Sequence, residues 1–474
     1  MKHSLCAIIL TVVLCSCARE HTPAIAGSWL GDLIVNEDVQ IQIGLSIKAE
    51  NDSLIAEMAS IDQGVYGIAV NSISINGDAV TFEIAQMGAA YAGILTTDTT
   101  IEGYFSQGDQ PPLVLNFSRV ESIPGAPPER HQNPEKPYPY LEEEVEFTSS
   151  ISGLTLAGTL TKPKTGKDFP AVVLITGSGA NDRDETIWGH KVFLVLADHL
   201  TRNGIVVLRL DDRGVGGSTG DHSIASMSDF ADDAIAGVEY LKTRADLDIS
   251  AIGLIGHSLG ADIAPLAANR NKDVEFVALM AGSGITLAET IHMQTAHIYA
   301  QRGASQEAIA LNRKINQTVF DIGKMEIDSA AMEAELENAF IPLAVELAQL
   351  SEQDRQLAEL PEVLKPEDYL GLLSDNMRFD LSYNPGDELA RLTVPILILA
   401  GDLDTQVSAE LNVPLMQSAL NEAGNEHVTI DIIPKVNHLF QTCETGEIEE
   451  YNQIGETIAP IVLNAISDWI KSLD

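Results

Sequence analysis

The sequence predicts a small antiparallel β-barrel or sandwich followed by an α/β domain with a parallel sheet covered by helices on both faces. Two observations support this prediction. From Glu142 onward, short apolar runs alternate with helix-like segments, which is typical of a doubly covered parallel sheet. Before that point, β-branched runs are separated by turn signals such as Asn76-Gly77-Asp78, which favours an antiparallel all-β domain. A chain of 474 residues is long enough for both parts.

The first residues predict bacterial export. Lys2 and His3 precede an apolar core, Leu5 to Leu14, which is too short to span a bilayer but suits a signal peptide. Leu14-Cys15-Ser16-Cys17 resembles a lipobox, so residues 1–17 are interpreted as a lipoprotein-type signal with Cys17 as the lipidated residue. Plain cleavage without lipid is the alternative. We therefore expect a periplasmic or outer-membrane lipoprotein that contacts the membrane only through this anchor.

Residues 26–120 are predicted to form the β-rich domain, and residues 121–140 a Pro-rich linker, because prolines at that density stiffen and extend a chain. The domain contains no obvious catalytic constellation, so it is interpreted as a packing module, with glycan or lipid binding as the alternative. The chain carries 28 Lys and Arg against 69 Asp and Glu, a formal net charge of −41. Such a surface repels phosphate backbones, which argues against nucleic acid as a partner.

The α/β domain is assigned to residues 141–474, and its elements follow one another as alternating strands and helices. At about 286–375 the alternation gives way to long polar helices, which predicts a helical insertion in the sheet. The predicted strands are Glu144–Thr148, Leu154–Leu160, Ala171–Ile175, Ile205–Leu210, Ile252–Ile255, Val274–Met280, Pro395–Ala400 and Val428–Ile433. The predicted helices are Lys191–Asn203, Ser228–Arg244, Gln306–Asn316, Met332–Leu350, Ala409–Glu422 and Ile454–Leu473.

The segment 256–260, Gly-His-Ser-Leu-Gly, predicts a nucleophile elbow. A G-x-S-x-G run between a strand and a helix places the serine on a sharp, strained turn with its hydroxyl exposed. Ser258 is therefore the candidate nucleophile, and the Leu259 amide a candidate oxyanion donor. A second match, centred on Ser218, lies several residues after its strand and is followed by polar residues rather than a helix. Context favours Ser258.

The partners of Ser258 are predicted from chain order. In a sheet of this kind the acid and then the histidine follow the serine along the chain, each in a loop after a strand. Asp404 follows the strand Pro395–Ala400 and is the candidate acid, with Asp402 as the alternative. His438 lies in the loop after the next strand and is the candidate base.

The second oxyanion donor is predicted in the loop after Ala171–Ile175. Glycines there allow the backbone to approach a substrate, and the Ser178 amide is the first candidate, with Gly179 as the alternative. The run 181–185, Asn-Asp-Arg-Asp-Glu, lacks the ligand spacing of a calcium loop, so no metal and no cofactor are expected. The run 211–214, Asp-Asp-Arg-Gly, is interpreted as an ion-paired loop support.

From about Pro134 to the C-terminus, these motifs resemble secreted bacterial alpha/beta-hydrolase esterases of the serine aminopeptidase and monoglyceride-lipase-like branch. The resemblance implies an alpha/beta-hydrolase fold with a helical cap at about 286–375, and hydrolysis of short-chain acyl esters by a serine mechanism. Two departures bear on the acyl pocket: Ala180 replaces a common proline, and Leu259 a common acidic residue. The resemblance rests on segments 136–140, 177–179, 182–185, 212–216, 256–260, 401–404 and 437–441.

The expected partner is a small-molecule acyl ester. A peptidase or thioesterase using the same triad is the first alternative, because the fold and the triad do not fix the leaving group. The second is a lipoprotein that binds a glycan or lipid without catalysis. The sequence leaves the oligomeric state open.

Overall fold

The structure, a computed structural model, describes residues 25–35, 39–50, 53–63, 65–108, 110–371 and 374–473. The chain divides into two compact units, Met1–Pro127 and Pro128–Asp474. Cys17 and the rest of the predicted signal peptide lie outside the described residues. Within those residues, no helix has the length and apolarity needed to cross a membrane.

The first unit is one antiparallel sheet of nine strands. Its order is β4-β3-β2-β1-β9-β8-β7-β6-β5, and β3 also contacts β5. The predicted antiparallel β-rich domain is confirmed, and the single sheet differs from the two layers of a sandwich. The strands are β1 (Gly27–Ile34), β2 (Gln40–Glu50), β3 (Ser53–Ser60), β4 (Val65–Ala69), β5 (Ser72–Asn76), β6 (Ala79–Ile84), β7 (Ala89–Thr97), β8 (Thr100–Gln107) and β9 (Leu113–Val120).

Alternating side chains on these strands build the core of the first unit. In β6, Val80, Phe82 and Ile84 are buried while the residues between them are exposed, as the two-residue period of a strand requires. Phe82 stacks on Tyr91, with ring centroids 4.8 Å apart. Trp29 is fully buried in the same cluster. This unit therefore has its own hydrophobic core.

The second half of the predicted linker makes hydrogen bonds to the second unit. Downstream of the unit boundary, Arg130 donates to the Asn452 carbonyl at 2.9 Å. Gln132 donates to the Ile458 carbonyl at 2.7 Å, and its side-chain oxygen accepts from the Ile458 amide at 3.0 Å. These bonds attach the second half of the Pro-rich segment to the second unit, because its polar side chains find backbone partners there.

The second unit contains an eight-stranded sheet of order β10-β11-β15-β12-β16-β17-β18-β19. β11 is antiparallel to both neighbours, and all strands from β15 to β19 along that order pair in parallel. β13 and β14 form a separate hairpin. The strands are β10 (Leu141–Thr148), β11 (Thr155–Lys162), β12 (Phe169–Ile175), β13 (Thr186–Ile187), β14 (His190–Lys191), β15 (Val206–Leu210), β16 (Ile249–His257), β17 (Phe276–Met280), β18 (Ile396–Gly401) and β19 (Val428–Ile433).

Helices cover both faces of this sheet and bury a separate apolar cluster on each face. The strands between them are accordingly buried on both sides, which explains their continuous apolar sequence. The helices are α1 (Val192–Arg202), α2 (Met227–Thr243), α3 (Leu259–Arg270), α4 (Leu287–Gln301), α5 (Gln306–Gly323), α6 (Ser329–Leu347), α7 (Glu352–Leu357), α8 (Glu367–Leu370), α9 (Asp375–Ser382), α10 (Pro385–Leu389), α11 (Ala409–Glu422), α12 (Ile448–Tyr451) and α13 (Pro460–Lys471).

The helices α4 to α10 are inserted between β17 and β18, so the predicted helical insertion is present in the chain order. Its longest helices, α5 and α6, pack on each other around their own apolar cluster, which includes Ile315, Leu336 and Phe340. The last predicted helix, Ile454–Leu473, begins six residues later, at Pro460. Proline is favoured in the first turn of a helix, because its missing N–H has no partner there anyway.

Candidate active site

The turn between β16 and α3 is a nucleophile elbow. Ser258 has φ 52° and ψ −120°, a strained combination for a residue with a side chain. A Cβ on Gly256 would lie 2.0 Å from the Gly260 carbonyl, and a Cβ on Gly260 would lie 2.1 Å from the Ile175 carbonyl. The two glycines are therefore required sterically. The Ser258 amide donates to the Met280 carbonyl at 2.8 Å, which joins the turn to the end of β17.

The structure brings Ser258, His438 and Asp404 together in one hydrogen-bonded chain. The His438 Nε2 atom lies 3.0 Å from the Ser258 Oγ atom, and its Nδ1 atom lies 2.8 Å from Asp404 Oδ2. These distances lie within the range expected of a nucleophile, its general base and the orienting acid. Asp404 and His438 follow Ser258 by 146 and 180 positions in the chain. They meet it here because β16, β18 and β19 all end at the same sheet edge.

Backbone amides hold the Asp404 carboxylate in place. Its other oxygen, Oδ1, accepts from the amides of Gln406 at 2.9 Å and Val407 at 2.8 Å. Asp402, the alternative acid, is exposed, and its Oδ1 accepts from the Lys435 amide at 2.5 Å. Asp402 therefore joins the loops after β18 and β19, while Asp404 contacts the histidine.

The loop that carries His438 is closed by Asn437. The Asn437 side-chain oxygen accepts from the amides of Leu439 at 3.1 Å and Gln441 at 2.9 Å. Its side-chain nitrogen donates to the Gln441 side chain at 2.9 Å, and all of these groups are buried. A short asparagine side chain thus replaces backbone partners in a tight turn, which fixes His438 between Ser258 and the acid.

The two amides predicted to bind an oxyanion are free of protein partners among the described residues. In the described part of the chain, neither the Ser178 amide nor the Leu259 amide donates to a protein group. The Asn181 side chain orients this loop. Its nitrogen donates to the carbonyls of Gly177 and Gly179, each at 3.0 Å, and to that of Ser178 at 3.3 Å. With the Gly177 carbonyl turned toward Asn181, the Ser178 amide of the same peptide group points away from Asn181.

Ser218, the competing serine, has a structural role. It is buried, its hydroxyl donates to the Asp211 carbonyl at 2.8 Å, and its oxygen accepts from the Ala157 amide at 2.9 Å. Both positions of the hydroxyl are occupied by backbone groups of β11 and the loop after β15. No described histidine contacts Ser218.

The side chains of the charged run at 182–185 have separate environments. Asp182 accepts from the Thr186 hydroxyl, Arg183 forms an ion pair with Asp211, and Asp184 pairs with Arg209. Glu185 lies in the interior. Among the described residues, no group of histidine, cysteine or acidic side chains forms a metal-binding cluster.

The run at 211–214 forms ion pairs, but with partners outside the run. Arg213 bonds Asp233 at 2.8 Å and Asp229 at 2.9 Å, both on α2. Asp211 forms its ion pair with Arg183 of the run at 182–185. The predicted support of this loop is thus provided by contacts to a helix and to a neighbouring loop.

Asp212 lies beneath the loop that carries Ser178. Burial raises the pKa of Asp212 to about 7, and the nearby carboxylates of Glu185 and Asp233 act in the same direction. Hydrogen bonds from the Thr176 hydroxyl at 2.6 Å and the Asn181 amide at 2.8 Å oppose this rise in the pKa. The loop that carries Ser178 therefore rests on a carboxyl group that binds a proton more readily than a solvated one.

We expect Asp212→Asn to stabilise the protein more at pH 8.5 than at pH 5. The folded-state pKa of about 7 lies above the unfolded value of about 3.9. The folded state therefore binds more protons between these values, and stability is lost as the pH rises through 7. Asparagine does not ionise, and its amide can donate to Thr176 and accept from Asn181. Urea unfolding should show a gain larger by about 2–3 kcal/mol at pH 8.5. An equal change at both pH values would contradict this expectation.

A pocket of about 70 Å³ lies beside the loop that carries Ser178. Gly177, Gly179 and Leu259 line it, and Phe230 and Ile263 contribute to its mainly apolar wall. Leu259 therefore adds apolar surface to this pocket. Cys443 is absent from its lining; this cysteine is buried in the loop after β19, as a small apolar residue would be.

The sequence reasoning missed a second histidine–carboxylate pair next to the triad. His257 Nδ1 lies 2.9 Å from Glu185 Oε1, and His257 Nε2 lies 3.0 Å from the His438 carbonyl. Both side chains are buried. His257 stands next to the nucleophile in the elbow, and that was its only sequence signal. Its partner is 72 positions away, a pairing that only the folded chain shows.

The fold of the second unit is that of the alpha/beta hydrolases. Numbered along the chain, the strands of the large sheet run 1-2-4-3-5-6-7-8, and the elbow follows the fifth strand. The predicted alpha/beta-hydrolase fold is thereby confirmed for this unit, and the helical cap stays a prediction.

Comparisons with known proteins agree with this class. Residues 189–317 match the family described as serine aminopeptidase, S33. Esterase EstD of Thermotoga maritima is 27% identical over 333 residues, which cover 70% of this chain and 69% of that protein. The matched family and the matched esterase are both hydrolytic, which supports a hydrolase function for this chain.

Two solved structures show similarity over most of this chain. The Pyrococcus furiosus esterase Pf2001 is 17% identical, with 73% of this chain and 97% of that chain covered and a TM-score of 0.42. Est1E from Butyrivibrio proteoclasticus, solved with ferulic acid bound, is 18% identical, with 69% and 97% covered and a TM-score of 0.39.

Proposed function

We propose that the protein is a serine carboxylic-ester hydrolase that acts on short-chain acyl esters through an acyl-enzyme. The observation that carries the proposal is the continuous hydrogen-bonded chain from Ser258 through His438 to Asp404. A serine hydroxyl is a weak nucleophile at neutral pH and gains reactivity when a histidine accepts its proton. The relation to an esterase from Thermotoga maritima supports an ester as the substrate.

In this mechanism Ser258 Oγ attacks the ester carbonyl while His438 Nε2 accepts the hydroxyl proton. Asp404 keeps the other ring nitrogen protonated and stabilises the imidazolium that forms. The amides of Leu259 and Ser178 donate to the oxyanion of the tetrahedral intermediate. His438 then passes the proton to the leaving alcohol, and water, activated by the same histidine, releases the acid.

We propose that the acyl group occupies the pocket that Leu259 lines, since Gly177 and Gly179 of the oxyanion loop also line it. We place the helical insertion over the site as a cap. Two contacts support that placement: Gln294 of α4 donates to the Gln406 carbonyl at 3.4 Å, and His297 lies 2.9 Å from Glu447. Gln406 is also the residue whose amide binds the Asp404 carboxylate, so the insertion contacts the loop that carries the acid.

The proposed serine chemistry is tested with a fluorophosphonate probe followed by a substrate panel. We expect one equivalent of probe to label Ser258, and p-nitrophenyl acetate to be hydrolysed faster than a matched thioester or aminoacyl arylamide. The arylamide is included because the family match is to a serine aminopeptidase. A preference for the arylamide would favour the peptidase alternative, and no labelling at all would favour the non-catalytic binding lipoprotein.

We also propose that the protein is exported and anchored in the membrane through a lipid on Cys17. The lipobox-like segment ending at this residue supports the proposal. Growth of the source bacterium with radioactive palmitate should label the full-length protein, and Cys17→Ala should remove the label. Absence of label from the unaltered protein would reject the anchor.

A further inference from the structure

We infer that Glu185 and His257 act as positioning residues that couple the oxyanion loop to the loop carrying the catalytic base. The inference rests on the proposed serine mechanism and adds a second buried pair to it. Glu185 Oε1 accepts from the Gly177 amide at 2.7 Å and also contacts His257 Nδ1 at 2.9 Å. The opposite ring nitrogen of His257 contacts the His438 carbonyl at 3.0 Å.

The first half of this connection orients the oxyanion donor. Gly177 directly precedes Ser178, and Glu185 binds the Gly177 amide on one side while Asn181 binds its carbonyl on the other. A Cβ on Gly177 would lie 3.2 Å from the Glu185 carboxylate and 3.4 Å from the Ser258 Cβ, so the glycine fits closely between them. Glu185 therefore fixes the peptide group between Thr176 and Gly177, and Asn181 fixes the next one, which carries the Ser178 N–H.

The second half positions the catalytic base. Both neighbours of the His257 ring accept hydrogen bonds, since one is a carboxylate and the other a backbone carbonyl. Two donors are therefore needed, which describes an imidazolium. Burial lowers the pKa of His257, but the Glu185 carboxylate and the hydrogen bond to His438 outweigh it and raise that pKa overall. Glu185 and His257 thus form a buried ion pair in which the two charges balance. The bond from the His257 ring to the His438 carbonyl fixes the backbone of the catalytic base.

The local structure around Glu185 is maintained at the expense of stability. Its backbone φ is 49°, which is unusual for a residue with a side chain. Its second oxygen, Oε2, is buried and has no hydrogen-bond partner in the described part of the chain. Each feature is unfavourable by itself. Strain and an unpaired polar atom together are expected where a geometry serves function rather than stability.

The test compares Glu185→Ala with Glu388→Ala, a matched control. Glu388 is also a buried glutamate; its side chain accepts from Asn269 at 2.8 Å and pairs with Arg391, but it lies on α10, outside the site. Active enzyme is counted with a fluorophosphonate, and kcat and KM for p-nitrophenyl acetate are then measured per active site. We expect Glu185→Ala to lower kcat by about 100-fold with KM changed by less than about 3-fold, because small misplacement of catalytic groups has such effects. Glu388→Ala should retain the wild-type kcat.

Glu185→Gln keeps an acceptor oxygen for the Gly177 amide but removes the charge that balances His257. An intermediate loss in kcat of about 10-fold is expected, and this nearly isosteric variant decides the question if Glu185→Ala does not fold. The double variant Glu185→Ala/His257→Ala should be no slower than the slower single variant, since residues that act as a unit are not additive.

Equal kcat values for Glu185→Ala and Glu388→Ala, a change confined to KM, or additive losses would overturn the coupling while leaving the proposed function intact. A wild-type protein that neither hydrolyses the ester nor reacts with the probe would overturn the proposed function itself, and the coupling with it.

Discussion

Ser258→Ala is expected to lower kcat for p-nitrophenyl acetate by about 10⁵-fold or more, because the attacking oxygen itself is removed. The oxyanion donors and the pocket remain, so a small rate above the uncatalysed reaction should persist. The fold should be retained, since alanine leaves the glycines at 256 and 260 and the strained turn unchanged and removes only one hydroxyl. Kinetics with purified protein, combined with fluorophosphonate labelling, measure both expectations.

Ser218→Ala is the matched control, because Ser218 lies in the other G-x-S-x-G match of the sequence. Its hydroxyl bonds the Asp211 carbonyl and the Ala157 amide. We therefore expect a loss of stability of about 1–3 kcal/mol, from an unsatisfied buried amide, with kcat per folded molecule unchanged. Equal loss of kcat in both variants would show that the elbow was assigned to the wrong serine.

The triad could be predicted from the sequence because each member follows a strand. Once a G-x-S-x-G run is placed between a strand and a helix, the order of the remaining strands fixes where the acid and the histidine must lie. Ser258, Asp404 and His438 obey that rule, and the structure places them within hydrogen-bonding distance of each other. Asp402 and Asp404 differ by two positions, and the sequence favoured Asp404 with Asp402 as the alternative; the turn after β18 buries Asp404 and exposes Asp402.

The pair of Glu185 and His257 could not be predicted from the sequence. The charged run at 182–185 suggested only a calcium loop, whose ligand spacing it lacks, because the charges give no information about their distant partners. In the structure each charge has its own contact, to Thr186, Asp211, Arg209 or His257. Such pairings depend on how loops fold over the sheet edge, which no periodicity encodes.

The first unit shows the same limit at the level of architecture. Alternation of apolar and polar residues predicted its strands, but whether they closed into one sheet or two depended on pairings between distant strands. The pairing of β1 with β9 joins residues about 90 positions apart, such as Ser28 and Val120, and it makes a single sheet of nine strands. The prolines of 121–140 predicted an extended linker, but they carry no information on Arg130 and Gln132, whose side chains donate to backbone carbonyls of the second unit.

Asp404→Asn is expected to lower kcat by about 10⁴-fold while leaving the fold intact. The Asp404 oxygen Oδ1 accepts from the amides of Gln406 and Val407, so the single oxygen of an asparagine must stay on that side. Its NH₂ group would then face His438 Nδ1, which has to become an acceptor. The proton moves to Nε2, the atom that lies 3.0 Å from Ser258 Oγ. A protonated Nε2 cannot accept the serine proton, so the base is lost through its tautomer.

Asp402→Asn provides the control for this change, with the same substitution two positions away. Its side-chain oxygen accepts only from the Lys435 amide among the described residues, and an asparagine oxygen can do the same. We therefore expect kcat within about 2-fold of the wild type, since exposed substitutions away from special features have small effects. The two variants should unfold at similar temperatures, which separates a chemical effect from a structural one. If Asp404→Asn retained a tenth of the wild-type kcat, or if Asp402→Asn lost as much, the orienting role would belong to another group.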